Sequence, residues 1–317
     1  MALFHGDKIK LFALSSNKEL AQEIADKLEV PLSACEVTRF SDGEISVNID
    51  ETVRGHKVFV VQSTSSPVNE NLMELLIFID ALKRASAKEI NIVLPYYGYS
   101  RQDRKTQSRQ PISAKLVADL LTVAGATRVI SLDLHAAQIQ GFFNIPIDNL
   151  TAMPLFQKYI RDDKIENAVI VSPDHGGANR ARQLADAFHW DIAIIDKRRP
   201  QPNVSEVMNI IGDVQDKNCI IIDDMIDTAG SVYNAAQALK KYGAHDVYVF
   251  ATHAIFSGKA PERLSDLDLF KEVVVTNSIE LPEDKTFANL TVISVASLIS
   301  EAIQHIIDDQ PLSPLFK

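Results

Sequence analysis

The chain has 317 residues, of which 46% are hydrophobic and 23% are charged, and its formal net charge at pH 7 is −10. This composition is ordinary for a globular protein and allows one or two domains with full cores. The acidic balance argues against non-specific nucleic-acid binding, and no apolar run approaches the roughly 20 residues that span a bilayer.

The N-terminus and the cysteines indicate a cellular compartment. The first ten residues lack the apolar core of a secretory signal. Cys35 and Cys219 both lie in apolar contexts, as buried thiols do in a reducing environment. We therefore expect a cytoplasmic protein without disulfides.

Strands and helices alternate in the first half of the sequence. The predicted elements are, in order, a strand over 9–14, a helix over 18–28, a β-hairpin over 35–49, a strand over 57–62, a helix from about 68, a strand over 89–94, a helix over 113–123 and a strand over 127–132. In the hairpin, Ser41, Asp42 and Gly43 form the predicted turn.

The second half continues the same alternation. Its predicted elements are a helix over 152–160, strands over 168–172, 192–195, 205–211 and 220–222, and helices over 178–188, about 230–242 and 297–307. Alternating strands and helices predict an α/β fold with mainly parallel sheets flanked by helices.

An internal repeat indicates two similar domains. Residues 81–93 align with residues 238–250, with four identical positions, and each segment follows a buried strand and a polar loop. The alternative is that helix ends commonly carry Ala, Leu and Lys. We predict an N-terminal domain over 1–148 and a C-terminal domain over 149–317, whose last helix could pack on either.

The segment after the apolar run 220–222 has the features of a sugar-phosphate site. Asp223 and Asp224 follow that run, and small or polar residues open the next helix. These residues are Asp227, Thr228, Ala229, Gly230 and Ser231. A helix N-terminus binds phosphate, whereas two carboxylates repel it and instead accept hydrogen bonds from sugar hydroxyls or a hydrated metal. Together they predict a ribose 5-phosphate site, with 63–68 as an N-terminal counterpart that lacks the acids.

Two motifs carry a resemblance to a known family. Residues 218–231 resemble the phosphoribosyl-diphosphate loop that type I phosphoribosyltransferases share with ribose-phosphate diphosphokinases. Residues 131–148 resemble the signature segment of the diphosphokinases, which phosphoribosyltransferases do not carry. Nearly the whole chain is similar to the phosphate-activated class of ribose-phosphate diphosphokinases (phosphoribosyl diphosphate synthetases). The resemblance implies two phosphoribosyltransferase-like domains.

The resemblance assigns a metal site to His135 and Asp174, and the metal is Mg²⁺. His135 alone would more often be a structural histidine. Asp174 precedes Gly176 and Gly177, which let the backbone approach a diphosphate. Two protein ligands suffice because Mg²⁺ keeps several waters and binds chiefly through substrate phosphates.

The basic run Lys197, Arg198 and Arg199 is the densest cationic cluster in the chain. Such a run is often only a solvated surface. By resemblance it is a catalytic loop, in which Lys197 stabilises the charge on the transferred group and Arg199 contacts ribose 5-phosphate and the phosphates. Charge stabilisation is the main task of a phosphoryl-transfer enzyme.

The resemblance also implies an ATP site, commonly completed across a subunit contact. Its residues come from the hairpin and from a second basic loop, and they are Phe40, Asp42, Gly43, Glu44, Arg101, Gln102 and Asp103. The aromatic face of Phe40 suits an adenine ring, and carboxylates can accept hydrogen bonds from the amino group of adenine.

The implied reaction converts ATP and ribose 5-phosphate into AMP and 5-phosphoribosyl 1-diphosphate, for nucleotide, histidine and tryptophan synthesis. Expected partners are inorganic phosphate and ADP as allosteric effectors and further copies in a homohexamer, with neither nucleic acid nor membrane. The alternatives are a phosphoribosyltransferase, a non-catalytic regulatory subunit and a nucleotide sensor. Ser100, Thr106, Gln107, Ser297 and Ser300 depart from the family pattern, nearest the regions of regulation and packing.

Overall fold

The computed structural model describes residues 9–198 and 207–316. The chain divides into two compact units. The first comprises Met1–Thr151, Ser278–Glu280 and Ser294–Lys317, and the second comprises Ala152–Asn277 and Leu281–Ile293. The division into domains over 1–148 and 149–317 stays a prediction.

The first unit is built on a five-stranded sheet. Its elements are β1 (Ile9–Ala13), α1 (Lys18–Leu28), β2 (Cys35–Arg39), β3 (Ile45–Ile49), β4 (Lys57–Val61), α2 (Val68–Arg84), β5 (Glu89–Leu94), α3 (Ser113–Ala124), β6 (Arg128–Leu132) and β7 (Ile147–Leu150). The order is β1-β4-β5-β6-β7, all parallel, and β2 and β3 form a separate antiparallel hairpin.

Local sequence explains where the helices of this unit begin and end. Asn17 caps α1 by accepting a hydrogen bond from the Leu20 amide at 3.2 Å, and Glu29 ends the helix in the left-handed conformation. The C-terminal helix α8 (Ala296–Ile307) belongs to this unit and packs against α1. Ala21, Ile24 and Ala302 are fully buried on these two helices.

The second unit is built on a seven-stranded sheet. Its elements are α4 (Met153–Asp162), β8 (Ala168–Ser172), α5 (Ala178–Asp186), β9 (Ile192–Arg198), β10 (Val207–Ile211), β11 (Asn218–Ile226), α6 (Gly230–Lys241), β12 (Val247–Ala254), α7 (Ala260–Leu264), β13 (Glu272–Thr276) and β14 (Leu290–Ile293). The order is β10-β9-β8-β11-β12-β13-β14, parallel except where β10 pairs with β9. The predicted α/β fold with mainly parallel sheets is confirmed.

Strand β11 lies in the middle of this sheet. Ile220, Ile221 and Ile222 are fully buried, as the apolar run predicts for a strand covered on both faces. The expectation that the strand ends before the acidic pair is wrong. Strand β11 continues through Asp223, which pairs with Ala251 of β12, and backbone pairing extends to Ile226.

Within the part of the chain that the structure describes, no helix is both long and apolar enough to cross a membrane.

Candidate active site

The candidate sugar-phosphate residues of the second unit lie at one edge of its sheet. Strands β8 and β11 are parallel neighbours, with Val171 opposite Ile221. The acidic pair of β11 therefore lies just beyond the carboxyl end of β8, at the sheet edge where ligands bind in open parallel sheets. The glycine loop 173–177 follows β8, and the loop 227–229 follows β11.

Asp223 and Asp224 share one cation. Arg180 of α5 donates through Nη1 to Asp223 Oδ1 at 3.1 Å, and the same nitrogen lies 3.4 Å from Asp224 Oδ1. Asp223 Oδ1 also accepts the backbone amide of Asp224 at 2.9 Å. The Asp224 side chain is only 5% exposed, whereas that of Asp223 is 28% exposed. Asp223 is thus the more accessible acceptor of the pair.

The environment of Asp223 favours its protonated form. Burial is the main cause, and the neighbouring Asp224 charge adds to it, while Arg180 opposes both. Together they raise the pKa of Asp223 to about 7. The ionisation of this pair therefore changes near neutral pH.

The loop between β11 and α6 has the backbone features of an anion-binding loop, and we call it the anion cradle. Ala229 is in the left-handed conformation with φ 59°, and α6 begins directly after it at Gly230. The first amides of a helix lack partners within the helix and carry its positive dipole end. Thr228 and Ser231 are exposed beside these amides, and Asp227 is partly buried.

Arg263 of α7, which no sequence motif indicated, contacts the anion cradle. Its Nη1 donates to the Thr228 carbonyl at 2.7 Å. A Cβ added at Gly230 would lie 3.5 Å from the same nitrogen. The positive charge of Arg263 therefore lies beside the proposed phosphate-binding loop.

The glycine loop after β8 is tightly wound around Asp174. Asp174 Oδ1 accepts the Gly177 amide at 3.0 Å, and Ser172 Oγ donates to the Asp174 carbonyl at 2.6 Å. A Cβ at Gly177 would lie 2.8 Å from Ser172 Oγ, so a larger residue there would displace the Ser172 hydroxyl that bonds to the Asp174 carbonyl. His175 Nε2 lies 3.2 Å from Asp196 Oδ1, which joins this loop to β9.

The predicted catalytic run begins on strand β9. Lys197 pairs by its backbone with Met208 of β10, and Arg198 pairs with Val207. Because β8 and β9 are also parallel neighbours, the carboxyl end of β9 reaches the sheet edge that carries the glycine loop. Arg199 lies outside the described residues.

The predicted nucleotide residues belong to the first unit. In the β2–β3 turn, Gly43 has φ +95°, and Asp42 Oδ1 accepts the Glu44 amide at 3.1 Å. The Phe40 side chain is 59% exposed, which is unusual for a large aromatic residue and leaves its ring open to stacking. The backbone bond from Phe40 N to Glu44 O, at 2.9 Å, closes the turn.

The second basic loop borders a cavity of about 410 Å³ that Arg101 and Gln102 help to line. Gln102 Oε1 accepts from Ser113 Oγ at 2.6 Å, which anchors the loop to α3. Asp103 Oδ2 accepts a hydrogen bond from Gln138 Nε2 at 2.8 Å, which links this loop to the segment 131–148 that contains His135.

A second cavity of about 420 Å³ lies between the hairpin and α2, with Gly43 and Glu44 among its lining residues. Asn69 and Glu70, at the start of α2, line both cavities, so the two groups of predicted nucleotide residues adjoin the same two residues of α2. Glu70 also pairs with Arg39 at 2.8 Å.

His135 is exposed on the loop that follows β6 in the first unit, and Asp174 is exposed on the loop that follows β8 in the second unit. Over residues 9–198 and 207–316, no group of three or more His, Cys, Asp or Glu side chains is arranged to hold a metal ion. Imidazole and carboxylate are both side chains that ligate metal ions, and a metal that keeps its waters and binds mainly through substrate phosphates needs few protein ligands.

Comparison with known proteins identifies the family. Residues 9–125 match the N-terminal domain of ribose phosphate pyrophosphokinase, and residues 196–317 match the phosphoribosyl synthetase-associated domain. The ribose-phosphate pyrophosphokinase of Bacillus subtilis is 58% identical over 313 residues, covering 98% of each chain. That of Clostridium perfringens is 59% identical over 316 residues, covering 99% of each.

The fold comparison agrees with the sequences. The crystal structure of phosphoribosylpyrophosphate synthetase from Mycobacterium smegmatis matches with a TM-score of 0.91 and 44% sequence identity. The match covers 95% of this chain and 99% of that one. This chain belongs to the ribose-phosphate pyrophosphokinase family.

Proposed function

We propose that this chain transfers the β,γ-diphosphoryl group of Mg-ATP to the 1-hydroxyl of ribose 5-phosphate. The products are AMP and 5-phosphoribosyl 1-diphosphate, which supplies nucleotide, histidine and tryptophan synthesis. The observation that carries the proposal is the pairing, in the second unit, of an acidic pair with an anion cradle at the end of one strand, β11. A ligand with a phosphate and vicinal hydroxyls satisfies both parts.

Ribose 5-phosphate binds through its two ends. Its phosphate accepts hydrogen bonds from the backbone amides of residues 227–231, at the start of α6, where the helix dipole favours an anion. Its ring hydroxyls donate to Asp223 and Asp224. Arg199 contributes a further charge to the sugar phosphate and the transferred group.

ATP binds through the residues of the first unit. Arg101, Gln102 and Asp103 supply one side of the nucleotide site. Phe40 stacks on the adenine, and Asp42, Gly43 and Glu44 contact its polar edge. By the resemblance to the family, the hairpin of another copy completes this site.

The transfer itself is a displacement at the β-phosphorus. The ribose O1 forms a bond to that phosphorus, the bond to the α,β-bridging oxygen breaks, and AMP leaves with the electron pair, while the hydroxyl proton passes to solvent. Lys197 stabilises the negative charge that develops on the transferred group. The chemistry that Mg²⁺ supplies when bound is neutralisation of the phosphate oxygens, and His135 and Asp174 would hold it.

Replacing His135 with alanine should raise the Mg²⁺ concentration for half-maximal activity about tenfold or more, because a metal held by few protein ligands depends on each. The measurement is a Mg²⁺ titration of initial rates at saturating substrates. His189→Asn, at an exposed histidine whose positive φ asparagine tolerates, is the control. An unchanged titration in His135→Ala would remove His135 from the site.

The raised pKa of Asp223 predicts a pH effect on sugar binding. The ionised carboxylate accepts a ribose hydroxyl, and the protonated form loses an acceptor. Because burial and Asp224 raise the pKa of Asp223 to about 7, KM for ribose 5-phosphate should increase as the pH falls through about 7. Rates measured across this range at saturating ATP test the effect. A KM independent of pH would contradict this role for Asp223.

We also propose how the chain assembles and how its activity is regulated. A homohexamer would complete the ATP sites, and inorganic phosphate and ADP would act as activator and inhibitor. Sedimentation of the purified protein, with and without phosphate, measures the assembly. A monomer with full activity would exclude the shared nucleotide site.

The reaction class is tested by product analysis with ribose 5-phosphate, Mg-ATP and inorganic phosphate. AMP and 5-phosphoribosyl 1-diphosphate should appear in a one-to-one ratio. Formation of ADP would indicate a simple kinase. Nucleotide binding without turnover would instead indicate a regulatory subunit.

A further inference from the structure

We infer that Arg180 is a positioning residue for ribose 5-phosphate, one that holds Asp223 and Asp224 together so that both accept hydrogen bonds from the ring hydroxyls. This inference rests on the proposed function, because it concerns the same sugar site. Arg180 was not among the residues that the motifs indicated. Its role follows from where α5 places it.

Arg180 contacts both carboxylates of the acidic pair through one nitrogen. A single guanidinium nitrogen, Nη1, lies 3.1 Å from Asp223 Oδ1 and 3.4 Å from Asp224 Oδ1. The Arg180 side chain is 22% exposed, so water screens these interactions less than at a surface ion pair. One cation therefore faces two adjacent carboxylates in a partly buried site.

Two neighbouring carboxylates cannot both remain ionised in a buried place without a compensating charge. A guanidinium keeps its charge at any pH at which the protein is folded. If a neutral side chain replaced Arg180, one carboxyl of the pair would take up a proton. The protonated oxygen could then no longer accept a hydrogen bond from the sugar. The burial of Asp223 and the charge of Asp224 already act in that direction, and Arg180 opposes them.

The position of Arg180 in α5 links the acidic pair of β11 to the helix that follows the glycine loop. It is the third residue of α5, which begins directly after the glycine loop that holds Asp174. Its partners lie on β11, the parallel neighbour of β8. The guanidinium thus ties the acidic pair to the helix that follows the glycine loop.

The test is steady-state kinetics of Arg180→Gln and Arg180→Lys with each substrate varied in turn. In Arg180→Gln, KM for ribose 5-phosphate should rise roughly 10- to 100-fold, as expected when one member of a buried charge pair is removed. KM for ATP should change little. In Arg180→Lys, part of the affinity for the sugar should return, since lysine restores the charge but not the planar geometry.

Arg182→Gln is the matched control, because Arg182 lies on the same helix with an exposed side chain. It should behave like the parent protein. Thermal unfolding of all variants separates loss of the fold from loss of binding, and direct calorimetric titration with ribose 5-phosphate gives the affinity even for a variant too slow to assay.

Two results would overturn the inference. One is an unchanged affinity of Arg180→Gln for ribose 5-phosphate in a folded protein. The other is a defect confined to ATP or to kcat, which would place Arg180 on the transferred diphosphate instead. Failure of the proposed function would look different, because the parent protein itself would then form no 5-phosphoribosyl 1-diphosphate.

Discussion

Replacing Lys197 with alanine should lower kcat by roughly 100- to 1,000-fold, with a much smaller change in KM for ATP. Phosphoryl transfer leaves little covalent work to the protein, so a cation that neutralises charge in the transition state acts mainly on kcat. The backbone of Lys197 lies at the carboxyl end of β9, at the same sheet edge as the glycine loop.

The measurement is initial rates across ATP concentrations at saturating ribose 5-phosphate, with nucleotide binding measured separately. Lys241→Ala is the control, because Lys241 is exposed at the end of α6. It removes the same charge from the same unit. A Lys197→Ala variant that lost affinity for ATP but kept its turnover would contradict the transition-state role.

Replacing Asp224 with asparagine should raise KM for ribose 5-phosphate by about 100-fold and leave KM for ATP nearly unchanged. The amide has the shape of the carboxylate, but it lacks the charge that faces Arg180 at 3.4 Å and one of the acceptors for a sugar hydroxyl. Since the Asp224 side chain is only 5% exposed, solvent cannot readily substitute for that charge.

Asp268→Asn is the matched control for this change, because Asp268 is an exposed aspartate of the same unit. Calorimetric titration with ribose 5-phosphate measures the affinity directly. Wild-type affinity in a folded Asp224→Asn protein would exclude Asp224 from the sugar site.

Much of the fold could be predicted because local sequence determines it. Strand β5 has the predicted bounds, and the helix predicted to begin at about Val68 begins there. Apolar β-branched runs identify buried strands, and the polar loops with small residues mark the ends of elements. Short elements were missed. Strand β7, Ile147–Leu150, contains Asp148 and Asn149, and its polar residues hide it from a search for apolar runs.

The end of β11 shows why charge is a poor marker of strand length. Asp223 and Asp224 interrupt the apolar pattern, so the pattern predicted that the strand ends before them. The backbone nevertheless continues to pair with β12, because backbone pairing does not depend on side-chain polarity. The side chains of the acidic pair therefore project from a strand rather than from a loop, which suits their proposed role of holding a sugar in one orientation.

The sequence predicted only part of the candidate site, because some of its contacts join residues that are distant in sequence. Motifs mark residues that contact ligands, and they indicated the acidic pair, the anion cradle and the glycine loop. Arg180 and Arg263 interact with those residues from helices distant in sequence, 43 and 35 positions away from Asp223 and Thr228. Such pairings depend on how α5 and α7 pack, and no local pattern in the sequence reports them.

Labelling of the phosphorus atoms of ATP tests the proposed diphosphoryl transfer most directly. ATP labelled at both the β and the γ positions is incubated with Mg²⁺, inorganic phosphate, ribose 5-phosphate and the purified protein, and the products are separated. Transfer of an intact diphosphoryl group predicts both labels in 5-phosphoribosyl 1-diphosphate and none in AMP. Label from the γ position alone in a sugar bisphosphate, with β label retained in ADP, would contradict the diphosphoryl transfer on which the assigned roles depend.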